Sequence, residues 1–248
     1  MKTRTTREGP YWRPITLLTS LSAASIILFL WKNVKSVRDF CDDLDVRTFK
    51  FFNGLLRDHE FMRWPTALCT TKRFDVVADV LMLLILLVCM KKVQTRNTFR
   101  AEIIRFLSFF VSLVSLYLVL FKLVGLVEPE RRSPTHYHSA YRVSSMNTNM
   151  GVKDISESSF PSDHSAIALS WLFYMFTFKS LPVDLMSIIL ALFFCSPRLV
   201  SGAHYLSDSL IGSLGLVIIS IGLYYGSPIH KIVTRLFNYI LGPKVKKQ

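Results

Sequence analysis

The stretch SFPSDHSAIALSWLFYMFTF, residues 159–178, places a proline-framed Ser-Asp-His directly before an apolar run. The apolar run predicts a helix that enters a membrane. His164 is polar and titratable at the point where the chain would enter lipid, which indicates a functional position. The whole sequence has a similar character, because 51% of its 248 residues are hydrophobic and the apolar residues cluster in blocks. A membrane protein therefore fits better than a packed soluble domain.

Six apolar blocks predict an all-α fold, a polytopic bundle of six transmembrane helices in a single domain that covers residues 1–248. The blocks are residues 15–31, 76–90, 103–121, 165–178, 183–195 and 210–225. Several are shorter than the ~20 residues of an ideal span, but flanking Ser, Thr and Tyr can extend them. The fifth is short enough to be a re-entrant or buried helix instead. The first follows a basic stretch without a small-residue cleavage site after it, so we expect an uncleaved anchor.

The net charge of +13 invites a nucleic-acid interpretation, but its distribution argues against one. Basic residues gather at both termini and between the second and third blocks, namely Lys2, Arg4, Arg7, Arg13, Lys91, Lys92, Arg96, Arg100, Arg105, Lys231, Arg235, Lys244, Lys246 and Lys247. These are alternate loops, as the positive-inside rule requires, so both termini are predicted to be cytoplasmic. We expect a cytoplasmic (inner) membrane with the site facing outward. The C-terminal KVKKQ also resembles an endoplasmic-reticulum retrieval signal, which leaves an organellar membrane open.

The first outside loop, residues 33–74, carries apolar residues near helical spacing. We predict a helix that lies on the membrane surface, and a short helix packed against the bundle fits the same pattern equally well. Cys41 and Cys69 lie in this loop, where an oxidising exterior permits a disulfide. Two unpaired thiols are the alternative, because a sequence does not supply the Cα separation that a disulfide needs.

Three separated segments are predicted to bring polar residues to the same outer face. They are PSDH at the mouth of the fourth span, SPRLVSGAHYLSD before the sixth, and KLVGLVEPERRSP after the third. The candidate site residues are Ser162, His164, Arg198, His204, Asp208, Lys122, Arg131 and Arg132. Asp163 is suited to capping the fourth helix, and Asp79, inside the second span, is left without a role.

The spacing of His204 and Asp208 points to nucleophilic chemistry. His204 and Asp208 stand four residues apart at the predicted start of a helix, so they share a face. The carboxylate can accept the imidazole Nδ1–H and present Nε2 as a nucleophile. His164 comes from another helix and could protonate a leaving oxygen. The cations suit phosphate oxygens, because phosphoryl transfer is catalysed mainly by positioning and charge stabilisation. We therefore expect a phosphate substrate.

These segments resemble the motifs of the type 2 phosphatidic acid phosphatase superfamily, which read Lys-x6-Arg-Pro, Pro-Ser-Gly-His and Ser-Arg-x5-His-x3-Asp. The third motif is matched by Arg198, His204 and Asp208 with the right spacing, although Pro197 precedes the arginine. The second has Asp163 in place of Gly, a variation similar to that of some bacterial undecaprenyl-diphosphate phosphatases. The resemblance spans roughly residues 122–208.

The first motif departs most from the family pattern. Lys122 fits its first position, and the nearest match to Arg-Pro is the stretched RRSP. Either Arg131 or Arg132 then meets the phosphate, because adjacent side chains point in different directions. We favour Arg132, which is nearer to Pro134.

The resemblance implies a six-helix core and a phosphohistidine on His204. Asp208 would orient His204, and His164 would protonate the leaving alkoxide before activating water. The phosphoryl oxygens would be held by Lys122, Arg131 or Arg132, Ser162 and Arg198. No metal or cofactor is expected, since the carboxylates do not cluster as at a magnesium site. His136 and His138 are interpreted as loop residues rather than metal ligands.

Two classes of function follow. The first is a lipid phosphatase or phosphotransferase acting on lipid A, undecaprenyl diphosphate, phosphatidate or phosphatidylglycerol phosphate. The long polar outside loops favour lipid A or a polyprenyl diphosphate. The second is a non-enzymatic lipid-phosphate binding or transport protein, against which the His204 and Asp208 pair argues. The expected partners are the lipid substrate and the bilayer, with no nucleic acid and with the oligomeric state left open.

Overall fold

The structure is a computed structural model that describes residues 12–92, 99–146 and 150–241. Within these ranges the regular elements are helices. An isolated antiparallel bridge pairs Thr71 with Val152. The helices are α1 Pro14–Asn33, α2 Lys35–Asp58, α3 Glu60–Cys69, α4 Lys72–Lys92, α5 Phe99–Gly125, α6 Pro134–Tyr137, α7 Asp163–Met175, α8 Leu181–Val200, α9 Leu214–Gly226 and α10 Ile229–Leu241. A π-helical turn, Asp208–Ser213, leads directly into α9. The predicted all-α fold is confirmed.

Four described helices are long and apolar enough to cross a membrane: Pro14–Asn33, Phe99–Gly125, Leu181–Val200 and Asp208–Gly226. The second and fourth predicted blocks are also helical, in α4 and α7. However, α4 carries Asp75 and Asp79 in its first half, and α7 runs for 13 residues before a 3-10 turn. The count of six spans therefore stays a prediction. So does the orientation, since Lys2, Arg4, Arg7, Arg96, Lys244, Lys246 and Lys247 lie outside the described residues.

The bundle is held together by close packing of α1 against α9. Leu28 and Trp31 from α1 contact a cluster that contains Leu216 and Val217 from α9. A Cβ at Gly226 would come within 2.7 Å of Leu17, so glycine there lets the two backbones approach. The Trp31 ring also stacks on Phe160, with ring centroids 4.7 Å apart. The packed core thereby fixes the segment that leads into α7.

The segment predicted as the first outside loop, residues 33–74, contains two helices, α2 and α3. Asp45, Phe49, Asn53 and Leu56 form a buried stripe on α2, which packs against α1 and α8. Large apolar side chains on the other faces stay exposed: Phe40, Phe51, Phe61 and Trp64. Packing of this loop on the bundle is thus observed, and contact of the exposed aromatic side chains with the membrane surface stays a prediction.

The disulfide between Cys41 and Cys69 is not formed, so that hypothesis is wrong. Both thiols are free. Cys41 packs beside the cluster around Trp31, whereas Cys69 is the last residue of α3. The two cysteines belong to different helices, and Cys41 is directed into the bundle.

Candidate active site

Two of the predicted segments are joined at the start of α7. Ser162 caps this helix, and its Oγ accepts a hydrogen bond from the Ser165 N–H at 3.4 Å. The Ser162 N–H donates to the Asp208 carbonyl oxygen at 3.3 Å, and Ser213 Oγ donates to the Ser162 carbonyl oxygen at 2.6 Å. A Cβ at Gly212 would come within 2.6 Å of the Phe160 ring. Hydrogen bonds and close packing therefore hold the PSDH motif at the start of α7 against the π-helical turn that leads into α9.

His204 is buried, and its two ring nitrogens have different surroundings. Nδ1 lies 2.8 Å from the carbonyl oxygen of Ser159, which can only accept, so Nδ1 carries the proton. Nε2 has no hydrogen-bond partner within the described part of the chain. A neutral imidazole held in this way presents the Nε2 lone pair, as a nucleophile requires.

The expected hydrogen bond between His204 and Asp208 is not formed. The nearest distance between His204 Nδ1 and Asp208 Oδ2 is 3.8 Å. Asp208 Oδ2 instead accepts the Tyr205 N–H at 2.8 Å. Asp208 Oδ1 lies 2.9 Å from Arg131 Nε, a close ion pair whose angles fall short of a hydrogen bond. The carboxylate is on the predicted side of His204, but other groups occupy its oxygens.

Arg131 lies in the centre of a buried ionic cluster that includes a residue from α2. Its side chain is 7% exposed, and Nη2 lies 2.5 Å from Asp45 Oδ2 and 2.9 Å from Ser207 Oγ. Asp45 also accepts the Ser207 N–H at 2.8 Å. The guanidinium packs over the Tyr205 ring, 4.5 Å from its centroid. Asp45 and Arg131 thus hold the turn that carries His204 and Asp208.

Burial raises the pKa of Asp45, and its hydrogen bonds from Ser207 and the charge of Arg131 offset only part of that effect. Asp45 was not among the site residues predicted from the sequence. It belongs to an acidic run in which Asp42 and Asp43 are equally polar. Its place one turn before Phe49, in the buried stripe of α2, is the feature that distinguishes it.

Arg198 is buried and forms a second cluster with His164. Its Nη2 lies 2.8 Å and 2.9 Å from the two carboxylate oxygens of Asp75, and Nη1 donates to the Thr70 carbonyl oxygen at 3.1 Å. The same Nη2 lies 2.8 Å from His164 Nε2. Asp75, at the start of α4, is another site residue that sequence reasoning missed. Its position at the junction of a loop and an apolar block was the available indication.

His164 lies between two carboxylates. Nδ1 is 2.6 Å from Asp163 Oδ1, and Nε2 is 3.2 Å from Asp75 Oδ2. Burial alone would lower the pKa of His164, but the two carboxylates outweigh burial and the charge of Arg198 and raise it. Burial likewise would raise the pKa of Asp163, and the two histidines and Lys153 lower it instead. His164 is therefore suited to hold a proton that it can donate.

The remaining predicted cations are placed differently. Lys122 lies exposed on the last turn of α5 and forms no ion pair among the described residues. Arg132 is 54% exposed and pairs with Glu157 at 3.1 Å. The preference for Arg132 over Arg131 is thus not supported, since Arg131 is the one that points inward. His136 also pairs with Glu157, at 3.3 Å, in keeping with a loop role.

A pocket opens beside His164, between α4, α7 and α8. Asp75 and Asp79 line its polar side. Apolar side chains that include Phe74, Met82 and Phe194 form the rest of its wall. Asp79 thus lies close to the candidate site, next to a surface that could take the apolar part of a lipid.

A comparison with protein-family models matches residues 105–230 to the PAP2 superfamily. The chain belongs to the PAP2 superfamily. This confirms the resemblance drawn from the motifs, and it agrees with a lipid phosphatase-type function. The chain is also 26% identical over 227 residues to the lipid A 1-diphosphate synthase of Escherichia coli (strain K12), an alignment that covers 91% of this chain and 94% of that protein. No solved structure matches the chain.

Proposed function

We propose that this PAP2 protein is an integral membrane lipid phosphatase that works through a phosphohistidine on His204. The observation that carries the proposal is the state of His204. Its Nδ1–H is held by the Ser159 carbonyl oxygen, and its buried Nε2 is without a partner among the described residues. A structural histidine usually has both nitrogens satisfied when it is buried. An unsatisfied Nε2 beside a second histidine and a buried arginine fits a nucleophile.

In the first step the Nε2 lone pair attacks phosphorus, and the bond between phosphorus and the leaving oxygen breaks. His164 donates its proton to that oxygen. The phosphorylated ring of His204 then carries a positive charge, which the Asp208 carboxylate at 3.8 Å stabilises. In the second step a water gives its proton to His164 and attacks phosphorus. The bond between nitrogen and phosphorus breaks, its electron pair returns to Nε2, and inorganic phosphate leaves.

The phosphoryl oxygens are bound by groups around these histidines. Arg198 supplies a planar guanidinium, and the first backbone N–H groups of α7 supply donors at a helix N-terminus. Ser162 and the exposed Lys122 complete the set proposed from the sequence. Arg131 has a different task here, because its guanidinium contacts Asp45, Ser207 and Asp208, whereas that of Arg198 lies 2.8 Å from His164 Nε2. It positions the turn that carries His204 rather than the phosphate.

The favoured substrates are lipid A and a polyprenyl diphosphate, on the outer face of an inner membrane. A second candidate is transfer of the phosphoryl group to another lipid, because the same phosphoenzyme can react with a lipid hydroxyl or phosphate in place of water. The similarity to a protein named lipid A 1-diphosphate synthase favours this candidate. Phosphatidate, phosphatidylglycerol phosphate and simple lipid-phosphate binding are the remaining alternatives.

The test is turnover by the purified full-length protein with a panel of lipid phosphates in detergent micelles. We expect release of inorganic phosphate in the presence of EDTA, and loss of nearly all of it in His204→Ala. His59→Ala is the matched control, since His59 is exposed on the outer loop between α2 and α3. Near-normal phosphate release by His204→Ala would refute the mechanism.

Phosphatase and transferase activities are separated by adding an acceptor. With a polyprenyl diphosphate donor that carries ³²P in its terminal phosphate and with lipid A as acceptor, transfer moves the label into lipid A, and hydrolysis leaves it as inorganic phosphate. A labelled lipid bound without either product supports the binding protein instead.

A further inference from the structure

We propose that Asp163, His164 and His204 form a binding site for a divalent transition-metal ion, Zn²⁺ in the first place, and that occupancy of this site blocks the nucleophile. One ligand atom from each residue lies within 4.8 Å of the others. The inhibitory part of this inference rests on the function proposed above. The binding part does not depend on it.

The distances fit a small rearrangement around an ion. Asp163 Oδ1 lies 2.6 Å from His164 Nδ1 and 3.8 Å from His204 Nε2. Ligand atoms at ~2.0–2.2 Å from a tetrahedral Zn²⁺ are about 3.3 Å apart. The three side chains therefore need shifts of about 1 Å to reach a common ion. The fourth position stays open for water or an anion.

An independent observation points to a ligand at the same place. The His204 side chain is 4% exposed, and its Nε2 has no hydrogen-bond partner in the described ranges. Its Nδ1–H is already held by the Ser159 carbonyl oxygen. A metal-bound histidine typically donates its other ring N–H to a carbonyl or carboxylate in this way. The nitrogen that would bind the ion is thus buried, oriented and unsatisfied.

The local charges also permit a cation. Arg198 is paired with Asp75, and Arg131 is paired with Asp45 and Asp208, so carboxylates offset both guanidinium groups. Asp163 adds a negative charge directly at the site. When the ion binds, it takes the place of the proton between Asp163 and His164, and that proton is released to solvent.

Occupancy stops the proposed reaction for a simple reason. Nε2 of His204 has one lone pair, and a bond to the ion uses it. The ion also binds Nδ1 of His164 and so replaces the contact of this nitrogen with Asp163 that orients the ring. Where the family motif has Gly, this chain has Asp163, so a chain that keeps the glycine lacks the third ligand.

The purified full-length protein is first treated with a chelator, which is then removed. Binding of ZnCl₂ to this protein in micelles is measured by isothermal titration calorimetry. We expect one Zn²⁺ per chain, and a loss of affinity of at least about tenfold in Asp163→Asn, because a direct ligand should matter no less than an outer partner. Asp163→Ser, which also suits the start of a helix, is the second variant in case Asp163→Asn does not fold. Asp43→Asn is the carboxylate control, since its side chain is exposed on α2.

X-ray absorption spectroscopy of the zinc-loaded protein adds a readout that does not involve activity. Two imidazole nitrogens and a carboxylate oxygen around zinc support the site, with one imidazole lost in His204→Ala. The double variant His136→Ala/His138→Ala tests the other nearby histidine pair. Loss of zinc binding in that double variant overturns the assignment. Equal zinc affinity in Asp163→Asn, Asp163→Ser and the wild-type protein also overturns it, as does an absence of binding.

Inhibition is measured separately on a lipid phosphate that the protein hydrolyses. Zn²⁺ should abolish phosphate release and EDTA should restore it, with Asp163→Asn requiring at least about ten times more zinc. Zinc that binds at the site and speeds turnover overturns the inhibitory role. If these three residues bind zinc but the protein hydrolyses no lipid phosphate, the metal site is supported and the proposed phosphatase function is refuted.

Discussion

Replacing Asp45 by alanine should destabilise the protein far more than replacing it by asparagine. Asp45 accepts three hydrogen bonds, from Arg131 Nη2 and from the N–H and Oγ of Ser207. Its removal leaves a guanidinium that is 7% exposed, with Asp208 at 2.9 Å and Asp42 at 3.8 Å as its remaining carboxylate neighbours. Breaking a buried ion pair from one side costs about 3–5 kcal/mol, and the contact with Asp208 puts Asp45→Ala near the lower end, at about 3 kcal/mol.

Asp45→Asn should cost much less, about 1 kcal/mol, because the amide oxygen still accepts hydrogen bonds. The raised pKa of Asp45 also makes the cost of Asp45→Asn relative to wild type depend on pH. A carboxyl whose folded pKa lies above its unfolded value gives its full stabilisation at low pH and loses it as the pH rises through the folded pKa. At neutral pH the wild-type protein therefore bears the cost of a buried charge that Asp45→Asn does not have. The gap between the two proteins should narrow from pH 4 to pH 8.

The assay is unfolding in mixed micelles of increasing denaturing detergent, followed by tryptophan fluorescence. Trp31 is a suitable reporter, because the Arg131 guanidinium lies 5.1 Å from its ring centroid. Asp43→Ala, on the same helix with an exposed side chain, should change stability by no more than about 0.5 kcal/mol. A cost of less than about 1 kcal/mol for Asp45→Ala, or an equal cost for Asp45→Asn and Asp45→Ala, would contradict the buried ion pair between Asp45 and Arg131.

Two further predictions concern neighbouring ion pairs. Arg131→Lys should lower kcat roughly tenfold, which is a barrier increase of about 1.4 kcal/mol. Arg132→Lys should leave kcat unchanged. Equal effects of the two substitutions on initial rates would contradict the inward placement of Arg131. Ion pairs with Lys32 and Arg38 lower the pKa of Glu128 despite its partial burial, so its stabilisation is present above the unfolded pKa and is lost as the pH falls. Glu128→Gln should therefore reduce unfolding free energy by about 1 kcal/mol at pH 7 and converge with wild type near pH 3, and a constant difference across that range would count against the pairing.

Spacing was sufficient to predict which segments meet, but not which atoms bond. His204 and Asp208 lie on the same side of a turn, as their four-residue separation indicates. The acceptor of the histidine proton is nevertheless the backbone carbonyl of Ser159. Every residue has such a carbonyl, so no side-chain pattern marks this one. Its position depends on the stacking of Phe160 on Trp31, a contact between distant parts of the chain.

Asp45 shows a related limit for the amphipathic helix α2. The sequence predicts a helix here with an apolar stripe, and Phe49 and Leu56 do face the bundle. An acidic residue on the same stripe contradicts the usual segregation of polar and apolar residues. Such a conflict is a reason to expect a buried cationic partner, since an unpaired carboxylate is costly to bury. The identity of the partner, Arg131, is set by tertiary packing that periodicity does not encode.

The choice between Arg131 and Arg132 depends on the phase of a short extended segment. Residues 131–133 pair with residues 156–159 through two backbone hydrogen bonds, Ser133 N–H to Ser156 O and Ser159 N–H to Arg131 O. Side chains alternate along an extended chain, so Arg131 and Ser133 face inward together and Arg132 faces out. Proximity to Pro134 does not decide which side chain points inward, because the proline fixes only where α6 begins. Which of the two arginines meets the phosphate stays a prediction. The stretch EPERRSP contains no apolar residue apart from its prolines, so it offers no hydrophobic alternation from which this phase could have been predicted.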